Sequence, residues 1–298
     1  LVVLVLLAAR SLAQEAGPAL TRARAQDILF LAQPPPAPCD SGAEDAQIRC
    51  LLAVRYDQDS AAAKLALDLY AHSGTVVGIL PEQDFDGAYR GQLHLVPRLP
   101  VGVHRKHLAW AAGALEDFDA FFKALGGTPR YRWSPLEFRF FESVKRRTPS
   151  AFAIAWSVSY NVNGSLFTSE AAVRSTLFHE VFHLNDQQHG RWSVRALSGV
   201  YDAIVARCGT QVACLTPYTP DSIKVIGGTY YDFMPDNGVQ EYAADLGRRY
   251  YAEHRALLHK EKALAPFKCG PDENAKAWKL VVDEFFGGVD LIPACPQR

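Results

Sequence analysis

Residues 179–183 read His-Glu-Val-Phe-His and set two imidazoles one helical turn apart, with a carboxylate beside the first. On an α-helix, positions i and i+4 share a face, so the rings of His179 and His183 can reach a single metal ion. Glu180 then lies at the edge of that face, where it can take a proton from a water on the ion. Two imidazoles do not complete a catalytic zinc site. Three protein ligands and an open fourth position are needed, the open position being where a substrate is polarised.

Two residues compete to be the third ligand. Glu241 stands in the stretch Glu241-Tyr242-Ala243-Ala244-Asp245, where an Asp four residues after a Glu puts both carboxylates on one helix face. Glu241 could bind the metal while Asp245 accepts the ring N–H of a ligand histidine, a bond that fixes the tautomer and raises ligand basicity. The small Ala243-Ala244 pair would let this helix approach the motif helix closely. Read alone, Glu241 would be an ordinary solvated helical carboxylate; the upstream His-Glu-x-x-His favours the ligand.

With these residues in hand, the chain resembles the gluzincin division of the zincin metallopeptidases, which carry H-E-x-x-H and, some tens of residues later, E-x-x-x-D. The resemblance is confined to residues 169–260, in two short motifs, and is closer to minimal gluzincins related to the prenyl-protein peptidases than to thermolysin. This chain lacks the hydrophobic spans of the membrane-embedded members. The resemblance implies one Zn2+ on helical ligands, a substrate strand along the upper rim and hydrolysis of peptide bonds. Glu180 would be the general base, passing its proton to the leaving amine. A substrate chain would lie along the strand at 151–160 by addition to its edge.

The competing third ligand is His189, ten residues after His179, at the position used by metzincins in H-E-x-x-H-x-x-G-x-x-H. Met234 would then supply a downstream Met-turn. The metzincin Gly is Asp186 here, and Gly suits the sharp turn that brings the third His back. Asp232 resembles the ligand of Gly-Thr-x-Asp peptidases, but its spacing is off by one. Tyr230 or Tyr231 could donate to an oxyanion, although a packed aromatic is the simpler reading of either. His254, on the Glu241 helix, has a similar weak claim.

These residues need elements to position them. Residues 44–72 read as helix, broken near Tyr56 to Ser60 and closed by Gly74, and 105–125 as an amphipathic helix with Leu108, Ala112, Leu115, Phe118, Phe122 and Leu125 on one stripe. Thr75 to Leu80 and Gly91 to Val96 have strand composition. Ser134-Pro135-Leu136-Glu137 predicts a helix start by capping-box chemistry, with Phe138, Phe140 and Phe141 as its core residues. Ala151 to Phe167 reads as strand-rich, a hairpin turning at Asn163-Gly164. The motif helix follows from about Ser169 to Gln187, with Val173, Leu177, Val181 and Leu184 on a face other than that of the histidines. Later helices are expected at 192–207, 239–260 and 274–286. Strands before the motif helix and helices after it predict an α+β, zincin-like domain with the site between two lobes.

The ends and the cysteines speak to compartment. Leu1 to Ala9 is an apolar run, and Ser11-Leu12-Ala13-Gln14 resembles a signal-peptide cleavage site, so residues 1–13 are expected to be a signal peptide. Residues 14–38, rich in Ala and Pro, read as a linker. The zincin-like domain is expected over 39–298, with an N-terminal portion at 39–150 and a catalytic core at 151–298. Six cysteines fit export to a secreted or periplasmic location. Sequence does not choose among their pairings, although the short loops Cys39 with Cys50, Cys208 with Cys214 and Cys269 with Cys295 are suggestive.

A net charge of −1 and the absence of a basic run interleaved with aromatics give no reason to expect a nucleic-acid partner. No segment is long enough for a membrane span in the mature form. The expected partner is a peptide or protein substrate. The rival from another class is a non-catalytic secreted protein whose metal stabilises a binding fold, which would have no use for the carboxylate of Glu180.

Overall fold

The computed structural model describes residues 20–31, 33–87, 91–225, 227–235 and 237–296. The expected signal peptide at 1–13 lies outside them. The architecture is α+β. Strands β1 (Val76–Ile79), β2 (Gln83–Asp86), β3 (Gln92–Pro97), β4 (Glu137–Ser143), β5 (Ala151–Ile154) and β6 (Ser157–Asn161) form one sheet in the order β2-β3-β4-β6-β5, with β1 also on β4. The first half of β4 pairs with β1 in parallel and its last residues pair with β3 antiparallel, while β6 runs parallel along it. Among the described residues, β5 therefore ends the sheet as an edge strand, paired with β6.

Before the motif come α1 (Arg22–Phe30), α2 (Glu44–Arg55), α3 (Ser60–Ser73) and α4 (Arg105–Leu125). The expected break between α2 and α3 is made by Asp59, whose carboxylate caps the Ala62 N–H, and Gly74 closes α3 in the left-handed conformation at φ 69°. The motif helix is α5 (Glu170–Gln188), capped by the Ser169 hydroxyl on the Ala172 N–H. After it come α6 (Trp192–Ala196), α7 (Ser198–Cys208), α8 (Val212–Leu215), α9 (Gly238–Leu258) and α10 (Asp272–Phe285). Alternation along β4 sends Phe138 and Phe140 into the main core with α4 and α5. Phe141 joins Leu80, Leu93 and Leu95 in a smaller cluster.

Three expectations are corrected here. The Ser134–Glu137 segment starts no helix: Glu137 opens β4, and its carboxylate is taken by the Arg24 guanidinium at 2.6 and 2.7 Å instead of reaching back to a helix N-terminus. The hairpin turns at Ala155-Trp156, both at positive φ (50° and 63°), because the Arg132 guanidinium stacks 4.0 Å over the Trp156 ring and holds the turn. Asn163-Gly164 instead lies in the connection from β6 to α5.

The 14–38 segment is also not wholly a linker. It contains α1, whose Ala25, Ile28 and Leu29 are buried in the main core. A Cβ at Gly78 would meet the Ile28 carbonyl oxygen at 2.0 Å, so α1 lies directly on β1. The folded part thus begins ahead of Cys39. The disulfides are Cys39–Cys50, Cys208–Cys214 and Cys269–Cys295, the short-loop pairs. Among the described residues, no helix is long and apolar enough to cross a membrane.

Candidate metal centre

α5 has one packed side and one chemical side. Val173, Leu177, Val181 and Leu184 are buried in the core, while His179 and His183 turn toward α9. α9 can come close because Gly247 has no side chain: a Cβ there would lie 2.2 Å from the Phe182 ring. Ala243 and Ala244 are fully buried in the core. Further along, Phe178 stacks on Tyr251 with ring centres 4.4 Å apart. The roll of α5 about its own axis is set by Asn185, which accepts the Arg132 N–H and donates to the Arg132 carbonyl, both at 2.8 Å.

This packing brings one atom from each of three residues together. His179 Nε2 lies 3.1 Å from His183 Nε2 and 3.1 Å from Glu241 Oε2, and His183 Nε2 lies 3.4 Å from the same oxygen. A tetrahedral zinc with bonds of about 2.0–2.2 Å holds its ligand atoms about 3.3 Å apart. The donor set fits such an ion in both spacing and chemistry. His179 Nδ1 donates to Asp245 Oδ1 at 2.8 Å, which turns Nε2 to the centre and would leave it as the nitrogen that binds an ion.

The electrostatics suit a cation. Burial works against charge on His179, but the Asp245 and Glu241 carboxylates outweigh it and hold the imidazole well above its usual range. Burial opposes ionisation of Glu241 too, yet the two imidazoles bring its carboxyl far below the ordinary value. Glu180 is buried, and that burial raises its carboxyl despite the neighbouring histidines. A carboxyl poised in this direction suits general-base work.

Glu180 and His179 form part of the wall of a cavity of about 440 Å3, which Thr148 to Ala151, Tyr231 and Arg248 also line. The start of the edge strand β5 thus borders the candidate centre. Tyr231 faces this cavity. Tyr230 does not: its hydroxyl is bonded to Thr216 Oγ1 at 3.0 Å and its ring is buried, which removes it as an oxyanion donor.

His189 is not brought to the centre. It follows α5 as its C-cap, where Nδ1 bonds Glu284 at 2.6 Å and the ring packs on Phe285. Asp186, in the place of the metzincin Gly, stays helical and spends its carboxylate on the Ser193 N–H and hydroxyl. Asp232 lies outside the donor set, buried and bonded to Thr219 at 2.8 Å. His254 sits further along α9, accepting the Leu291 N–H at 3.1 Å.

Sequence reasoning missed Arg248 and Gly247. Arg248 approaches Asp245 at 3.3 Å, pairs with Asp221 and donates to Ser175 at 3.2 Å, tying the Asp245 carboxylate to α5 and to the loop before α9. Its spacing of three from Asp245 was the available signal. Gly247 gave none, since a helical Gly acquires meaning only from what lies opposite. No family model matches this chain, and no curated protein and no solved structure matches it.

Proposed function

We propose that this chain is a zinc-dependent peptidase of the gluzincin type, with a zincin-like domain, in which His179, His183 and Glu241 hold one Zn2+. The observation that carries this reading is the convergence of these three donors at coordination spacing, with Asp245 orienting His179. When bound, zinc would lower the pKa of a water in the open position and polarise the substrate carbonyl. Glu180 would take the proton of the attacking water and give it to the leaving amine. Tyr231, on the cavity wall, is the candidate donor to the developing oxyanion.

The substrate main chain would add to the open edge of β5, which delivers an extended peptide past His179 and Glu180. The three disulfides support a secreted or periplasmic site of action. The reading is tested by titrating purified protein with zinc and assaying hydrolysis of a mixed peptide pool. One ion per chain, with hydrolysis that a chelator stops and zinc restores, is the expected result; a chain that binds no zinc, or binds it and cleaves nothing, overturns it.

A further inference from the structure

Beside the cleft lies a second cavity of about 500 Å3, lined by Lys106 and His107 of α4, by Lys145, Arg146 and Arg147 of the turn after β4, and by Phe167. Among the described residues, none of the four cations is ion-paired. Lys106 lies 5.3 Å over the Trp110 ring, and Arg147 Nε donates to the Asn163 carbonyl at 3.3 Å. The one carboxylate on the wall, Glu142, is taken by Arg98 at 2.7 Å and Asn163 at 2.7 Å.

His107 is buried and bonded through Nδ1 to the Tyr160 hydroxyl at 3.0 Å, and burial pushes its imidazole down to about 4, so it adds a polar but uncharged wall. A concave site whose wall carries four cations against one carboxylate, itself paired with Arg98, has a net positive field and attracts anions. Two features join this pocket to the candidate centre. Arg146 lines both cavities. The chain itself also leads there, since residues 151 back to 145 run from the edge strand to the basic turn. That wall is fixed by the Ser165 N–H on the Arg147 carbonyl at 2.8 Å and the Leu166 N–H on the Ser150 hydroxyl at 3.1 Å.

We propose that this basic pocket receives the carboxylates of an acidic stretch of the peptide substrate, to one side of the bond that is cleaved. The inference rests on the peptidase reading above and names the substrate class. A peptide that continues past Ala151 along the 145–150 connection meets Lys145 and Arg146 next, which are exposed and free to close on it.

The test uses the full chain carrying Glu180→Gln and four labelled peptides, with a run of Glu at one end or the other and their Gln counterparts. At low salt, one Glu peptide is expected to bind about tenfold tighter than its Gln partner. Lys145→Gln combined with Arg146→Gln is expected to abolish that preference, whereas Lys279→Gln, on an exposed lysine of α10 paired with Asp283, keeps it. Equal binding of Glu and Gln peptides overturns the proposal, as does a preference that survives the double substitution. A single-stranded oligonucleotide that outcompetes the Glu peptide through the same two residues also overturns it. Binding is read without cleavage, so the two readings fail separately. Hydrolysis by zinc-loaded wild type without a Glu preference overturns the pocket alone, and a Glu preference without hydrolysis overturns the peptidase reading alone.

Discussion

Gly247 on α9 faces the ring of Phe182 on α5 so closely that a Cβ would meet Cδ2 at 2.2 Å and Cε2 at 2.4 Å. Phe182 is fully buried and has nowhere to retreat. Gly247→Ala must therefore push the helices apart, at a cost of about 1–3 kcal/mol. Because His179 and Glu241 sit on those two helices, zinc affinity is expected to fall along with stability. Denaturant unfolding and zinc titration of the variant check this, and an unchanged midpoint would refute the close approach.

Glu180→Gln keeps the size of the side chain and removes its basicity. Glu180 is outside the donor set, so zinc content should stay at the wild-type level. Peptide hydrolysis should fall by about 10^2–10^4-fold. Parallel metal analysis and peptide assays read the two effects. Activity within a few-fold of wild type would remove Glu180 from its proposed role.

Glu241→Ala and His189→Ala separate two roles by one measurement. Truncating Glu241 deletes a donor at 3.1 Å from His179 Nε2, so bound zinc should be largely lost. Truncating His189 removes the bond to Glu284 and the contact with Phe285 but no donor, so zinc should stay and thermal stability should drop. The reverse pattern would restore the metzincin arrangement.

Asp59 provides a pH signature in the scaffold. The Gly102 and Ala62 N–H groups, followed by Arg105, lower its carboxyl to about 2 from 3.8. A carboxyl depressed in the folded chain contributes stability that is complete above the unfolded value and lost as pH falls through the folded one. Asp59→Asn should therefore melt below wild type above about pH 4, with the gap closing toward about pH 2. Melting curves across that window test it; a gap independent of pH would show that the charge is not what stabilises.

The sequence shows the candidate centre better than its scaffold, and the reason is range. Histidines four apart and carboxylates four apart set faces by helix periodicity, so His179 with His183 and Glu241 with Asp245 were legible as pairs, whereas the meeting of the two pairs was expected from the resemblance, with His189 as the rival to Glu241. The helices α2 to α5 were legible because Asp59, Gly74 and Ser169 are local punctuation. β4 was misread because Ser134 and Glu137 mimic a capping box, while the partner that claims Glu137 is Arg24, more than a hundred residues away. The Ala155-Trp156 turn lacks Asn or Gly and depends on Arg132 above it. α1 hid behind Ala and Pro content, although Thr21 caps it and Ala25, Ile28 and Leu29 recur at helical spacing.

β5 is only four residues long. So short a margin can donate and accept few main-chain bonds, which is one way natural sheets discourage stray pairing with neighbours. A visiting strand with nothing else to offer would come and go. On the proposed reading, selectivity would then fall on the walls beyond that margin, and so brief an edge offers few main-chain bonds to a second copy of the chain.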